Sequence, residues 1–397
     1  MDRQKRAIGA YAVTATLVRS ADAGAVVGFV LLAASSPDGS AVAGLLAAAL
    51  TAPHLAGPFV APLLDRSTRP RVVLAGSFLL YAAMVAVASL AFSHGGTALS
   101  VIALVIAGSC GPLITGGLSS RLAGLVGEGQ MRQRRAQGMD ALTYGVAAAF
   151  GPLLIAVTGA AVSPLAGVLA VCGAAVVATI LLVTLPPMTS TSTDGAAAAE
   201  PVSIWRSAAL LFTNGPLRRV TVCTSVTAVA VGAVPILAVA SSAVHGFGGP
   251  SAAALLASAF GVGTLVGSAT VIARPLRGSP ERMVAGAAAG IGLGLILCTI
   301  APTLPLAAAA YAATGAVSAV QFASSLAARV EYSPPEARAQ VFMTMAGLKV
   351  ACSSAGVALA GLLVAPAPWA LLLGAVLVVG GAAGATALDR FVAAPSS

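Results

Sequence analysis

The chain has 397 residues, of which 58% are hydrophobic and 8% charged, with a formal net charge of +9. A water-soluble domain covers itself with roughly 25% charged residues, so this composition excludes a soluble globule and turns the outer surface toward lipid. The basic excess sits in short connections between apolar runs, where it meets anionic lipid head groups, and this excludes nucleic acid as its partner.

Twelve apolar segments follow one another: 8–34, 41–64, 72–93, 98–120, 137–160, 165–185, 218–243, 251–273, 283–300, 306–328, 339–364 and 369–388. A spanning helix needs about 20 residues. A spanning strand would have about 10, with strict alternation. The runs are too long and lack that period, so backbone groups in lipid are satisfied within helices. The first segment imitates a signal peptide, since Lys5 and Arg6 precede it and Ala21-Asp22-Ala23 resembles a cleavage site. Apolar character resumes at Gly24, so the segment is expected to remain as the first helix. Residues 186–216 read as a cytoplasmic linker. Its stretch 189–201 is rich in Ser, Thr, Ala and Gly, and Trp205 with Arg206, Arg218 and Arg219 marks a short interfacial segment. The expected organisation is a six-helix bundle over 1–185, the linker over 186–216, and a second six-helix bundle over 217–397.

Connections after the odd-numbered segments contain neither Lys nor Arg. Those after the even-numbered ones hold Arg66, Arg69 and Arg71; Arg121, Arg132, Arg134 and Arg135; Arg206, Arg218 and Arg219; Arg274, Arg277 and Arg282; then Arg329 and Arg338. Arg3, Lys5, Arg6 and Arg390 lie at the ends. This bias predicts a multi-pass protein of the inner cell membrane with both termini in the cytoplasm.

The two halves are faintly self-similar. Gly57, Pro70 and Gly76 return as Gly267, Pro280 and Gly286, each 210 positions later. Glu128 and Arg135-Ala136-Gln137 return as Glu331 and Arg338-Ala339-Gln340, each 203 positions later. Parallel six-helix repeats are the build of major facilitator transporters. The loop after the second segment, Ala61-Pro62-Leu63-Leu64-Asp65-Arg66-Ser67-Thr68-Arg69-Pro70-Arg71, resembles that family's signature G-x-x-x-D-R-x-G-R-[RK] at Asp65, Arg66 and Arg69. Ala61 and Thr68 stand in place of its glycines, and Pro70 departs from it. The resemblance implies a gating role for Asp65, Arg66 and Arg69. A carboxylate there can pair with a guanidinium or cap a helix N-terminus. The fifth segment carries Gly145 and Gly151-Pro152, which resembles the core of the family's antiporter signature G-x-x-x-G-P-x-x-G-G and hints at export. The family's arginine near the start of the fourth helix is absent from 100–108.

An ionisable group at mid-membrane costs about 2.5–3.5 kcal/mol on insertion scales, so it faces a cavity or a partner. Segments 3, 6, 9 and 12 hold none in their interiors, as the outer helices of the family fold should. Arg19 and Asp22 lie halfway along the first segment, on one face. Asp22 is the candidate proton carrier and Arg19 its partner; the two either switch with conformation or form a static pair. Lys349 and His54 lie mid-segment and, with Gln321, Tyr11 and Tyr144, are the candidate substrate contacts. Lys349 could instead snorkel to the cytoplasm. Asp140 is expected to pair with Arg135 at the interface.

Cys110, Cys172, Cys223, Cys298 and Cys352 fall inside apolar segments and read as small buried side chains. The sequence shows no P-loop, no nucleophile–base set and no metal-ligand spacing, so neither enzymatic activity, a cofactor nor a metal is expected. The reading is an all-α membrane protein of twelve helices in two pseudo-symmetric bundles. It is expected to act as a monomeric, proton-coupled exporter of a small apolar or amphipathic compound by alternating access. Import or exchange of an organic anion is the alternative.

Overall fold

The computed structural model describes residues 2–33, 39–127, 129–185, 204–247 and 250–363, with positions 380, 381 and 384. Apart from those three positions the expected twelfth helix, 369–388, lies outside these, as do the linker stretch 189–201 and Glu128. The described residues form helices and turns without strands. In order the helices are α1 (Asp2–Ala33), α2 (Gly39–Thr51), α3 (Gly57–Asp65), α4 (Pro70–Ser93), α5 (Thr97–Pro112) and α6 (Leu118–Val126). Then come α7 (Gln130–Ala161), α8 (Pro164–Thr184), α9 (Ile204–Thr213), α10 (Gly215–Gly232) and α11 (Val234–His245). The last are α12 (Pro250–Ala273), α13 (Pro280–Ile300), α14 (Leu304–Tyr332) and α15 (Arg338–Leu363). Among the described residues ten stretches are long and apolar enough to span a membrane, eleven if α10 and α11 count as one bent span.

Among the described residues three expected helices are interrupted, each at a proline. The second span breaks into α2, a 3₁₀ segment Ala52–Ala56, and α3. Pro53 and Pro58 each lack an N–H and crowd the carbonyl four residues back, which leaves His54 on the tighter 3₁₀ turn. The fourth span passes through a π-turn, Leu113–Gly117, directly after Pro112. Such a turn frees backbone carbonyls from the regular ladder. The seventh span bends by 45° between α10 and α11, with Pro235 entering α11.

Several helices also run further than the apolar pattern suggests. α6 extends the fourth span to Val126 and carries Arg121 inside it. α7 begins at Gln130 and takes in Arg132, Arg134 and Arg135, and α14 reaches Tyr332 and takes in Arg329. Arginines expected in connections are therefore helical residues. The segment expected at the interface is the separate helix α9.

The chain forms two compact units. One comprises Met1–Glu128, Thr143–Ala208 and Pro334–Gly347; the other comprises Gly129–Leu142, Ala209–Ser333 and Leu348–Ser397. In the first unit α1 lies on α8, where Gly24 and Gly28 meet Val171 and Val168. In the second, α12 lies on α14 at Gly263 and Gly267, spaced as a small-xxx-small pair, with Ala312 and Ala316 opposite. Leu256, Cys298 and Tyr311 fill the adjoining core. Large apolar side chains such as Leu63, Leu79, Ile180, Val183, Leu293 and Ile300 are exposed, as a lipid-facing surface requires.

A Cβ on Gly263 would enter the backbone of Ala312, whereas one on Gly261 meets open space. Gly263→Ala is expected to destabilise the protein by about 1–3 kcal/mol through overpacking, and Gly261→Ala to leave it unchanged. Thermal unfolding of the two variants in detergent checks the difference.

Candidate functional site

α1 carries two ionic groups one turn apart, Arg19 buried and Asp22 partly exposed. Arg19 is 3% exposed. Its guanidinium donates to the Thr143 hydroxyl, to Ser119 Oγ at 2.8 Å and to the Thr115 carbonyl at 3.4 Å. It also lies 3.7 Å from the centroid of the Tyr144 ring. The Tyr144 hydroxyl closes the cluster at 3.2 Å from Ser119 Oγ. The π-turn explains the position of Thr115, whose carbonyl it turns toward Arg19. Charge-assisted hydrogen bonds and the ring face together offset the desolvation of a cation in this setting.

Asp22 faces a different partner. Its Oδ2 lies 3.6 Å from His54 Nε2, with the His54 side chain 5% and the Asp22 side chain 20% exposed. The Tyr81 hydroxyl lies beside Asp22. The contact is an ion pair only while His54 is protonated.

The His54 ring is seated against glycine. A Cβ on Gly111 would fall inside the imidazole, and one on Gly347 would fall on the His54 carbonyl. Gly24 and Gly151 meet each other in the same way, with Gly151 also against the Ser20 carbonyl. Gly151, next to Pro152, thus lets α7 touch the α1 backbone between Arg19 and Asp22. Tyr11 is fully buried on α1.

The second unit holds the remaining candidates. Lys349 Nζ stands 3.6 Å from the Phe322 ring centroid, a cation–π contact where snorkelling was the other expectation. Gln321 Nε2 donates to Thr227 Oγ1 at 3.2 Å. Arg329, 1% exposed, donates to Ser325 Oγ at 3.4 Å. Among the described residues no three His, Cys, Asp or Glu side chains gather as a metal seat.

A further cluster forms at the end of α3. Asp65 Oδ1 lies 3.3 Å from Arg121 Nη2, which also donates to the Leu64 carbonyl at 3.0 Å. Asp65 Oδ2 accepts from the backbone N–H of Gln340 at 3.2 Å, and Gln340 Nε2 reaches the Pro58 carbonyl at 3.4 Å. Because α15 starts at Arg338, that N–H is one of the orphan donors of a helix N-terminus, and Asp65 caps it from another span. Arg66 and Arg69 are exposed; Arg69 precedes α4, and its backbone N–H bonds Ser67 Oγ at 3.0 Å. Asp65 meets Arg121, which lies just past the apolar run 98–120 and is part of α6. The signal lay in Leu118, Leu122 and Val126, which continue the helical apolar period past Arg121. Asp140 is fully buried, while Arg135 is exposed and its Nε donates to the Ile272 carbonyl at 3.1 Å.

The family model of the Major Facilitator Superfamily matches residues 12–348. A bacterial homologue of the iron transporter ferroportin, in an outward-facing state, superposes with a TM-score of 0.76 at 14% identity, covering 97% of this chain and 99% of that one. The E. coli fucose:proton symporter gives 0.70 at 15% identity, covering 96% and 98%. The human organic anion transporter MFSD10 gives 0.63 at 14% identity, covering 98% and 99%. At these identities the likeness shows the fold. No curated protein matches the chain by sequence.

Neutralising one member of the Asp65–Arg121 pair strands the other, so Asp65→Asn and Arg121→Gln are each expected to lower stability. The double variant is expected to recover about 1–3 kcal/mol of coupling. A double-mutant cycle on detergent-solubilised protein measures it.

Proposed function

The chain belongs to the Major Facilitator Superfamily and is a multi-pass membrane transporter, and from that premise we propose that it couples proton movement to export of a small apolar or amphipathic compound. The single observation that carries the reading is the Asp22–His54 contact at 3.6 Å inside a membrane span. The contact is strongest with His54 protonated, when charge attraction adds to the hydrogen bond a neutral imidazole can still donate. Loss of the proton weakens the hold of α1 on the 3₁₀ segment of the second span. Arg19, held by Ser119, Thr143 and Tyr144, keeps α1 anchored meanwhile.

The second span then carries the change. His54 and Asp65 lie on the same broken span, and α15 contacts it along one face. Gln340 meets Asp65, Met343 meets Gly57, and Gly347 meets the His54 carbonyl. Spacings of three and four place these residues on one stripe of α15. A shift at His54 therefore bears directly on the Asp65 cap, which we assign to the cytoplasmic gate. In this reading both termini are cytoplasmic, the protein acts as a monomer, and substrate, protons and lipid are its partners. Apolar, Ala- and Gly-rich helices suit an amphipathic cargo. A second reading, import or exchange of an organic anion, draws support from Lys349 beside Phe322, which would suit an aromatic anion, and from the fold shared with an organic anion transporter.

Inside-out vesicles loaded with acid buffer and offered a panel of amphipathic fluorescent compounds test the proposal. Uptake is expected with the interior acid, and Asp22→Asn and His54→Gln are expected to reduce it to the level of empty vesicles while the proteins remain folded. Uptake driven only by the reversed gradient would favour the second reading. Gradient-driven uptake unchanged in both variants would remove the proton pair from the mechanism.

A further inference from the structure

One stripe of α7 and one of α14 border a cavity that includes neither Asp22 nor His54. Gln130, Gln133, Arg134 and Gln137 recur at spacings of three and four on α7, so they share a face. Ala327 and Glu331 do the same on α14, with Val330 beside them. Together these residues line a cavity of about 230 Å³, and all belong to the second compact unit. Gln130 and Glu331 are exposed and form its mouth, whereas Ala327, Arg134 and Gln137 are buried and form its floor. Ligand pockets for drug-sized molecules run from about 300 Å³ upward, so this one suits a compound built on a single small ring.

The floor holds an amide whose hydrogen bonds the protein does not meet. Gln137 is 1% exposed, and among the described residues neither its Oε1 nor its Nε2 has a hydrogen-bond partner. A side-chain amide offers two N–H donors and a carbonyl acceptor, and burying them unmet is costly enough that such groups are rare. The internal repeat supplies a control. Gln340, the counterpart of Gln137 at the 203-residue offset, donates its Nε2 to the Pro58 carbonyl at 3.4 Å. The charged groups beside Gln137 are, by contrast, engaged. Arg134 donates Nη1 to the Leu276 carbonyl at 2.8 Å and Nη2 to the Gly278 carbonyl at 2.6 Å, and Nη2 also reaches Glu331 Oε2 at 3.3 Å. The lining residues thus sum to no net charge, and a charged ligand would have to draw one member of the Arg134–Glu331 pair away from the other.

We infer that this cavity is a binding site for a small, uncharged, planar compound that presents an N–H beside a carbonyl or ring nitrogen, the edge of a primary carboxamide, a lactam or a nucleobase. Gln137 supplies the matching pair: its Nε2 donates to the ligand's acceptor while its Oε1 accepts the ligand's N–H. A glutamine side chain reads the edge of adenine by the same two bonds. Ala327 and Val330 give the ring apolar contact. An analogue without the N–H is rejected, because it would leave Oε1 buried and unmet. The site shares no residue with the Asp22–His54 pair and does not depend on the direction of transport.

Thermal unfolding of the full-length protein in detergent tests this with three compounds of one shape. Nicotinamide carries the amide edge, N,N-dimethylnicotinamide lacks its N–H, and nicotinate replaces it by a carboxylate. A ligand that binds the folded state raises the unfolding temperature as its concentration rises. Nicotinamide is expected to do so and the other two are not. Gln137→Met, which keeps the length of the side chain and removes its amide, is expected to weaken nicotinamide binding by about tenfold, the scale for two lost hydrogen bonds. Should that variant fail to fold, Ala327→Leu decides, because it fills the cavity from α14 and is expected to abolish the shift. Equal shifts by nicotinamide and its dimethyl analogue would overturn recognition of the edge. A larger shift by nicotinate would overturn the uncharged class. A nicotinamide shift unaltered in Gln137→Met or Ala327→Leu would place binding elsewhere in the protein, and no shift at all would overturn the site.

Discussion

The arrangement rests on the close approach of α15 to the broken second span. Gly57 and Gly347 remove the side chains that would hold the backbones apart, and Gln340 offers Asp65 the N–H it caps. Substituting bulk at these glycines would separate three contacts at once. The same stripe touches the 3₁₀ segment that bears His54, so the ionic centre on α1 and the cap at the end of α3 are joined by one piece of backbone. The second span is interrupted at Pro53 and Pro58, and the interruption seats His54 against Gly347 of α15.

Charge placement obeys one rule throughout. A buried ion persists only when geometry supplies partners. Arg19 is met by hydroxyls, a carbonyl and an aromatic face, which fix it without depending on pH. Asp22 is met by an imidazole, whose charge does. Two groups three residues apart on one helix thus acquire different tasks from their surroundings. Arg121 extends the rule to a helix end, where its guanidinium balances Asp65 and satisfies the Leu64 carbonyl.

Much of the fold could be read from the sequence, since long apolar runs and alternating arginine-bearing connections are direct consequences of crossing lipid. The interruptions fall at Pro53, Pro58, Pro112 and Pro235, and whether a proline bends, breaks or widens a helix depends on what packs opposite. The site was partly visible. Arg19, Asp22 and His54 stood out as charges in apolar runs, and Asp65 by its place in a loop signature. Their partners did not. Spacing alone put Arg19 and Asp22 together, whereas the contacts described for them are Thr115, Ser119, Thr143 and Tyr144 for Arg19, and His54 for Asp22. These come from helices distant in sequence, and a one-dimensional pattern does not record that. Arg121 does not stand out in the sequence, because basic residues near span ends look alike whether they orient a helix or bind a neighbouring one.

The central claim, that Asp22 and His54 form one proton-responsive unit, is open to direct observation by infrared spectroscopy. A pH titration of the purified protein in lipid should show a carboxyl band that is absent in Asp22→Asn and whose midpoint moves in His54→Gln. A band that titrates identically with and without His54 would contradict the account, because the carboxylate would then have no knowledge of its neighbour.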